Sequence, residues 1–340
     1  MISIENKNLD ELAQNHYNFL CNTFSFSISK RLKVSLKKYE SKKKDIYKDY
    51  KELLDYIQEY LRTIIIGNPK ELENHKKELL KLSKNFEFTK KEKTHEQKEI
   101  LKDLNSIFTY ETFSSNGFSK KASKNEKSYF YSGNILVKNL NLSVCPYCNR
   151  NTIYSISNGK KRTSELDHFY PQGKYPYFAL SFYNLIPSCK VCNKIKLDKD
   201  DKEYINPYDN RFNMNKNNKF TMLIKDVTFF YDTKGFSIGR KFISSISKEE
   251  QKRINNNIKD FKLYDLYQNH KDIVLELIQK REIYPDSYID DLLQEYEGSL
   301  FNNREDIFRL ITCGYVEDKD LHKRPLSKLI KDISEELELI

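Results

Sequence analysis

No stretch of this 340-residue sequence approaches the ~18 consecutive uncharged apolar residues that a membrane-spanning helix needs, and 32% of its residues are charged. A helical membrane protein is excluded. Residues 1–20 carry acids among their apolar positions and lack the basic start, apolar middle and small-residue exit of a secretory signal, so the expected location is cytoplasmic. No Gly-x-x-x-x-Gly-Lys-Ser/Thr phosphate loop occurs, and nucleotide-driven control would have to come from a partner. No internal repeat is visible. Six cysteines without an export signal do not suggest a disulfide framework, because the cytosol keeps thiols reduced.

What is present begins with charge. Lys and Arg total 59 against 49 acids, a formal charge of +10. A polyanion is the natural partner of such a surface, although lysine also serves simply to keep helices soluble. The length and the 38% hydrophobic content suffice for a sizeable core and suggest two or three domains. We divide the chain into a helical region (1–140), a cysteine-bearing module (141–212) and a hairpin-plus-helix region (213–340). In the first, Tyr50, Leu53, Leu54, Ile57, Tyr60, Leu61 and Ile64 recur at helical spacing. Gly67, Asn68 and Pro69 interrupt it, and Glu71 to Leu82 resumes it, which predicts an antiparallel helical pair. The run Lys37 to Lys51 reads as a solvated helix or a nucleic-acid face. Ser114 to Lys127 reads as a basic loop. In the last region Phe220 to Tyr231 and Gly235 to Ile246 predict a two-stranded hairpin or a small sheet, followed by helices opening at Ser247-Lys-Glu-Glu250.

The chemistry sits in the middle. Cys145-x-x-Cys148 and Cys189-x-x-Cys192, with 40 residues between them, supply four soft ligands suited to a tetrahedral structural Zn²⁺. Cys21 and Cys313 read as ordinary buried thiols. Between the knuckles, Thr152 to Ser157 and Thr163 to Phe169 are strand candidates around an Asn158-Gly159 turn, followed by a short apolar strand at Tyr183 to Pro187 and a helix from Cys189 to Leu197.

Cys145-x-x-Cys148, Glu165-Leu-Asp-His168, Tyr183-Asn184-Leu185 and Cys189-x-x-Cys192-Asn193-x-x-Lys196 together resemble the HNH endonuclease family over about residues 144–200. The resemblance implies an α+β protein with a ββα-metal module and a four-cysteine zinc site. Longer phrases around residues 175–196 and 322–333 are similar to HNH proteins that accompany ATPases in bacterial antiphage systems such as Septu, which implies a role in defence and an ATPase partner. It also implies a one-metal phosphodiesterase in which His168 is the general base, since imidazole titrates near neutrality. Asp167 and Asn193 would hold a catalytic Mg²⁺ or Mn²⁺. Asn193 stands where many relatives have histidine, and the harder oxygen pair favours those ions. Asn184 would orient the His168 imidazole, and Glu165 is either an alternative ligand or a residue that supports the ligands from behind. Lys196, Lys160, Lys161 and Arg162 are candidate phosphate contacts; for the three hairpin-tip residues a solvated turn is the other reading. The implied products carry 3′-hydroxyl and 5′-phosphate ends. One difficulty is that successive strand residues face opposite ways, so Asp167 and His168 can address one phosphate only if the strand ends or bends there.

Two other readings stay open. The same chemistry could cut RNA, or the zinc module could bind nucleic acid or a protein partner without catalysis. The segment Leu321 to Leu329 is a candidate docking or core-locking element, or simply a helix start around Pro325.

Overall fold

A computed structural model describes residues 1–23, 27–120, 129–197, 203–243 and 246–340. Residues 121–127, half of the expected basic loop, and the charged stretch Asp198 to Asp201 lie outside the described residues; the described half of that loop holds a helix end at Ser114 and Ser115 and a short strand at Phe118–Lys120.

The chain opens with helices α1 (Leu9–Tyr17), α2 (Ile28–Glu40), α3 (Asp45–Glu59), α4 (Leu61–Ile66), α5 (Pro69–Leu82), α6 (His95–Ile107) and α7 (Tyr110–Ser115). The apolar spacing read from sequence is the buried stripe of α3, comprising Tyr47, Tyr50, Leu53, Leu54 and Ile57. Asn68 caps α5 through the amides of Lys70 and Glu71, Glu71 caps it reciprocally, and Pro69 occupies the first turn, where its missing N–H costs nothing. The lysines of the 37–51 run face α6 in part: Lys42 pairs with Glu99 at 2.6 Å and Lys38 with Asp103 at 3.4 Å. This face is therefore used in helix packing.

A two-stranded ribbon of β1 (Phe118–Lys120) and β2 (Tyr129–Tyr131) leads into α8 (Gly133–Leu140). Next come the first knuckle and the small hairpin β3 (Ser155–Ile156) and β4 (Lys161–Arg162), turned by Asn158 and Gly159 at φ of 56° and 87°. Both residues are left-handed within the four-residue loop 157–160. Thr163 to Phe169 is not the second arm of that hairpin. Its core, β5 (Glu165–His168), pairs antiparallel with β6 (Leu185–Ser188), placing Asp167 beside Ile186 and His168 beside Leu185. Helix α9 (Lys190–Lys196) follows and packs on β5, so the order β5, β6, α9 is a ββα unit with a 16-residue connection, 169–184, between its strands.

Beyond it, α10 (Met214–Asn217) precedes the hairpin β7 (Asn218–Ile224) and β8 (Phe236–Phe242), in the region expected from composition. Helices α11 (Lys248–Asp260), α12 (Leu263–Gln268), α13 (Lys271–Ile283), α14 (Asp286–Tyr296), α15 (Arg304–Thr312) and α16 (Ser327–Glu336) complete the chain. Ser247 caps α11 through the Glu250 amide. The architecture is mixed α+β with four small antiparallel sheets among the described residues. One continuous apolar core draws on all three regions, from Met1 through Tyr147 and Phe178 to Leu339. Cys21 is buried in it, but Cys313 is exposed at the end of α15, contrary to the expectation for that thiol.

Candidate functional site

The four knuckle cysteines are all buried, and their sulfurs lie within 4.8 Å of one another. Tetrahedral zinc with ~2.3 Å Zn–S bonds needs sulfurs ~3.8 Å apart, so the cluster has the right size for one ion. Among the described residues it is the one group of three or more His, Cys, Asp or Glu close enough to share a metal. Backbone and amide donors already face the sulfurs, as thiolate ligands require: Arg150 N donates to Cys148 Sγ at 3.4 Å, Cys192 N to Cys189 Sγ at 3.4 Å and Asn151 Nδ2 to Cys189 Sγ at 3.2 Å. Burial pushes the Cys145 thiol up, while the neighbouring sulfurs, Cys145 foremost, hold Cys189 down.

The first knuckle is braced by residues that sequence reading passed over. Asn149 adopts a left-handed φ of 50°, which asparagine tolerates. Its Nδ2 donates to Leu321 O at 2.9 Å, and its backbone and side-chain oxygens accept from Leu326 N and Lys328 N at 2.6 and 3.0 Å. Tyr267 OH donates to Cys148 O at 2.6 Å. The segment 321–329 is thus a core-locking element of the knuckle. Residues 327–334 of α16 are buried throughout, and Lys328 pairs internally with Asp332 at 2.8 Å.

Beside the knuckles lies a cleft of about 510 Å³ whose wall includes Glu165, Asp167, His168, Tyr110, Gln172 and Asn193. Asp167 and His168 border the same cleft, as do Glu165 and Leu166 before them, at the end of β5. The His168 ring packs edge-on against Tyr110 with centroids 4.3 Å apart. Its Nε2 lies 3.0 Å from Ala179 O. A carbonyl only accepts, so Nε2 carries the proton and Nδ1 keeps a lone pair. Among the described residues no hydrogen-bond partner takes Nδ1. Burial pushes the imidazole down to about 4, which keeps it neutral at pH 7.

The Asn184 side chain makes no hydrogen bond to the imidazole. It is fully buried, its Oδ1 accepting from Tyr170 N at 2.7 Å and its Nδ2 donating to Tyr170 O and Phe178 O at 3.2 and 2.9 Å. It therefore pins both ends of the connection that carries Ala179, and orients His168 one step removed.

Asp167 is buried and doubly held: Tyr147 OH donates to its Oδ2 at 2.7 Å, and Lys196 Nζ lies 3.2 Å from Oδ1 and 3.0 Å from Oδ2. Burial and the Asp167 charge push the Tyr147 hydroxyl well above its usual range, so it remains a donor. Lys196 is thus not on the surface as a phosphate contact would be. It is 3% exposed, because α9 packs on β5 and turns this side inward. Arg162 is also turned in, its guanidinium donating to Ser164 O, Ser114 O and Oγ, and Asn134 Oδ1. Lys160 and Lys161 are exposed, and with Lys190, which sequence reading did not select, they line a second groove that meets the first at Glu165. Comparison of the chain with protein-family models, with curated proteins and with solved structures finds no match.

Proposed function

We propose that the chain is a metal-dependent HNH-type endonuclease that hydrolyses DNA, with a structural zinc ion on Cys145, Cys148, Cys189 and Cys192. The observation that carries this reading is the state of His168: a neutral imidazole, fixed through Nε2–H on the Ala179 carbonyl, with its basic Nδ1 unpartnered among the described residues and the ring in the cleft wall. That is what deprotonating a water requires. A phosphate entering the cleft adds negative charge beside the ring and raises its basicity toward the working pH. Asp167, Asn193 and Glu165 bring oxygen donors to the same cleft and would hold the catalytic Mg²⁺ or Mn²⁺. When bound, such an ion neutralises the charge that develops on the phosphate and its leaving oxygen. Lys160, Lys161 and Lys190 provide a basic approach to the cleft. A role in antiphage defence and an ATPase partner belong to the same proposal and rest on the resemblance in sequence.

The test is cleavage of plasmid DNA and of RNA with Mg²⁺ or Mn²⁺, comparing wild type with His168→Ala. Loss of a general base should slow the chemical step roughly 10²- to 10⁴-fold with zinc content and DNA binding retained. Wild-type cleavage by His168→Ala, Asp167→Ala and Asn193→Ala alike would remove these residues from the chemistry, absence of cleavage by the wild type would leave only a non-catalytic binding module, and preferential RNA cleavage would change the substrate within the same chemistry.

A further inference from the structure

The Asp167 carboxylate is already occupied by a cation of the protein itself. The Lys196 ammonium donates to Asp167 Oδ1 at 3.2 Å and to His168 O at 2.5 Å, and its nitrogen lies 3.0 Å from Asp167 Oδ2. The two side chains are 3% and 4% exposed, so this is a desolvated pair and not a surface salt bridge. Tyr147 OH takes a further lone pair of Oδ2. A second positive charge on the same buried carboxylate would sit within a few ångströms of the ammonium with little solvent between them, where repulsion is strong.

We infer that Lys196 is a resident cation in the Asp167 seat, and that the Lys196 ammonium and a divalent metal ion occupy Asp167 in mutual exclusion. The inference rests on the reading of Asp167 as a metal carboxylate and adds the regulation of that site. The exchange is local. Lys196 is the last residue of α9, the backbone leaves the helix at Leu197 with φ of 41°, and Leu197 is 64% exposed on the cleft rim. A flexible four-carbon stem at a helix end can turn outward without unfolding the module. Turned outward, the ammonium joins the wall on which a phosphate would lie, so metal loading and phosphate contact are coupled. The metal-free nuclease holds itself in a charge-neutral, closed state, and the apparent metal affinity is lowered by the small population in which Lys196 has left.

The test uses full-length, zinc-loaded protein without nucleic acid, titrated with Mn²⁺ and followed by the paramagnetic resonance signal of the free ion. With a vacated seat populated at about 1–10%, Lys196→Met should bind Mn²⁺ about 10- to 100-fold more tightly than wild type, and Asp167→Asn should lose the site. A second measurement uses wild type alone, in case Lys196→Met does not fold: acetylation of Lys196, quantified by peptide mass spectrometry, should accelerate when Mn²⁺ is added, while acetylation of the fully buried Lys328 should not. Asp167-dependent Mn²⁺ binding that is unchanged or weaker in Lys196→Met, or Lys196 labelling indifferent to Mn²⁺, overturns the inference and leaves the metal site standing. Absence of any Asp167-dependent Mn²⁺ binding in both proteins instead removes the reading on which it rests.

Discussion

Replacing Asn184 by alanine separates the architecture of the cleft from its chemistry. The side chain makes three hydrogen bonds, all to the backbone of the 169–184 connection, and is fully buried. At a net worth of about 1 kcal/mol each, their loss costs about 3 kcal/mol. The two Tyr170 groups lie in a half-buried residue and can regain water, but Phe178 O lies in a fully buried one and would be left dry, which adds about 1 kcal/mol. The expected destabilisation of Asn184→Ala is therefore about 3–4 kcal/mol, measured by urea unfolding of the zinc-loaded protein with far-ultraviolet circular dichroism. Asn184→Asp should be worse despite its equal size, because a carboxylate would face two carbonyl oxygens that now accept from an amide. Ala179, whose carbonyl fixes His168, directly follows Phe178, so on the proposed nuclease reading cleavage should fall even at temperatures where the variant stays folded. A stability loss below about 1 kcal/mol, or wild-type cleavage by the folded variant, would refute the view that Asn184 organises this connection.

Cys189→Ser should reduce tightly held zinc from about one ion per chain to none and abolish cooperative folding, because metal binding at such a site is folding free energy; metal analysis and calorimetry read both. Lys328→Met should cost about 3–5 kcal/mol by leaving the buried Asp332 charge without its ammonium, with nearby Arg240 holding the loss toward the lower end, whereas the double variant Lys328→Met/Asp332→Leu should recover most of it. Equal destabilisation of the single and double variants by urea titration would count against this account. The Lys42 and Tyr47 hydrogen bonds hold Glu99 down to about 2, so its contribution to stability is complete above the ordinary glutamate pKa of about 4.3 and is lost as pH falls through about 2. Stability measured between pH 5 and 2 should therefore fall less steeply in Glu99→Gln than in wild type, and parallel acid limbs would be evidence against the pairing.

Much of this protein is written in short-range patterns. The helical stripe around Tyr50 to Ile57, the Asn68 start of α5, the Asn158-Gly159 turn and the pairing of β7 with β8 each follow from residues a few positions apart. The two cysteine knuckles are local in the same sense, since Cys-x-x-Cys closes on itself. Pairing across longer distances was not legible. Glu165 to His168 is equally strand-like whether it pairs with residues just upstream or with β6 some 20 residues on, and burial of Leu185 and Ile186 beside it settles that choice only once the chain is folded.

The charged residues of the site divide along the same line. Sequence places Lys196 one helical turn beyond Cys192, and whether its ammonium meets solvent or Asp167 depends on how α9 packs against β5. Arg162 is indistinguishable in sequence from its exposed neighbours Lys160 and Lys161, yet its guanidinium is consumed by Ser114, Asn134 and Ser164. The contacts of Asn149 with Leu321, Leu326 and Lys328 bridge about half of the chain. Residue type and spacing thus determine which local elements can form and which ligands the knuckles offer. Tertiary packing alone decides which charges are desolvated and which partner each finds, because desolvation belongs to a position in space and not to a position in the chain.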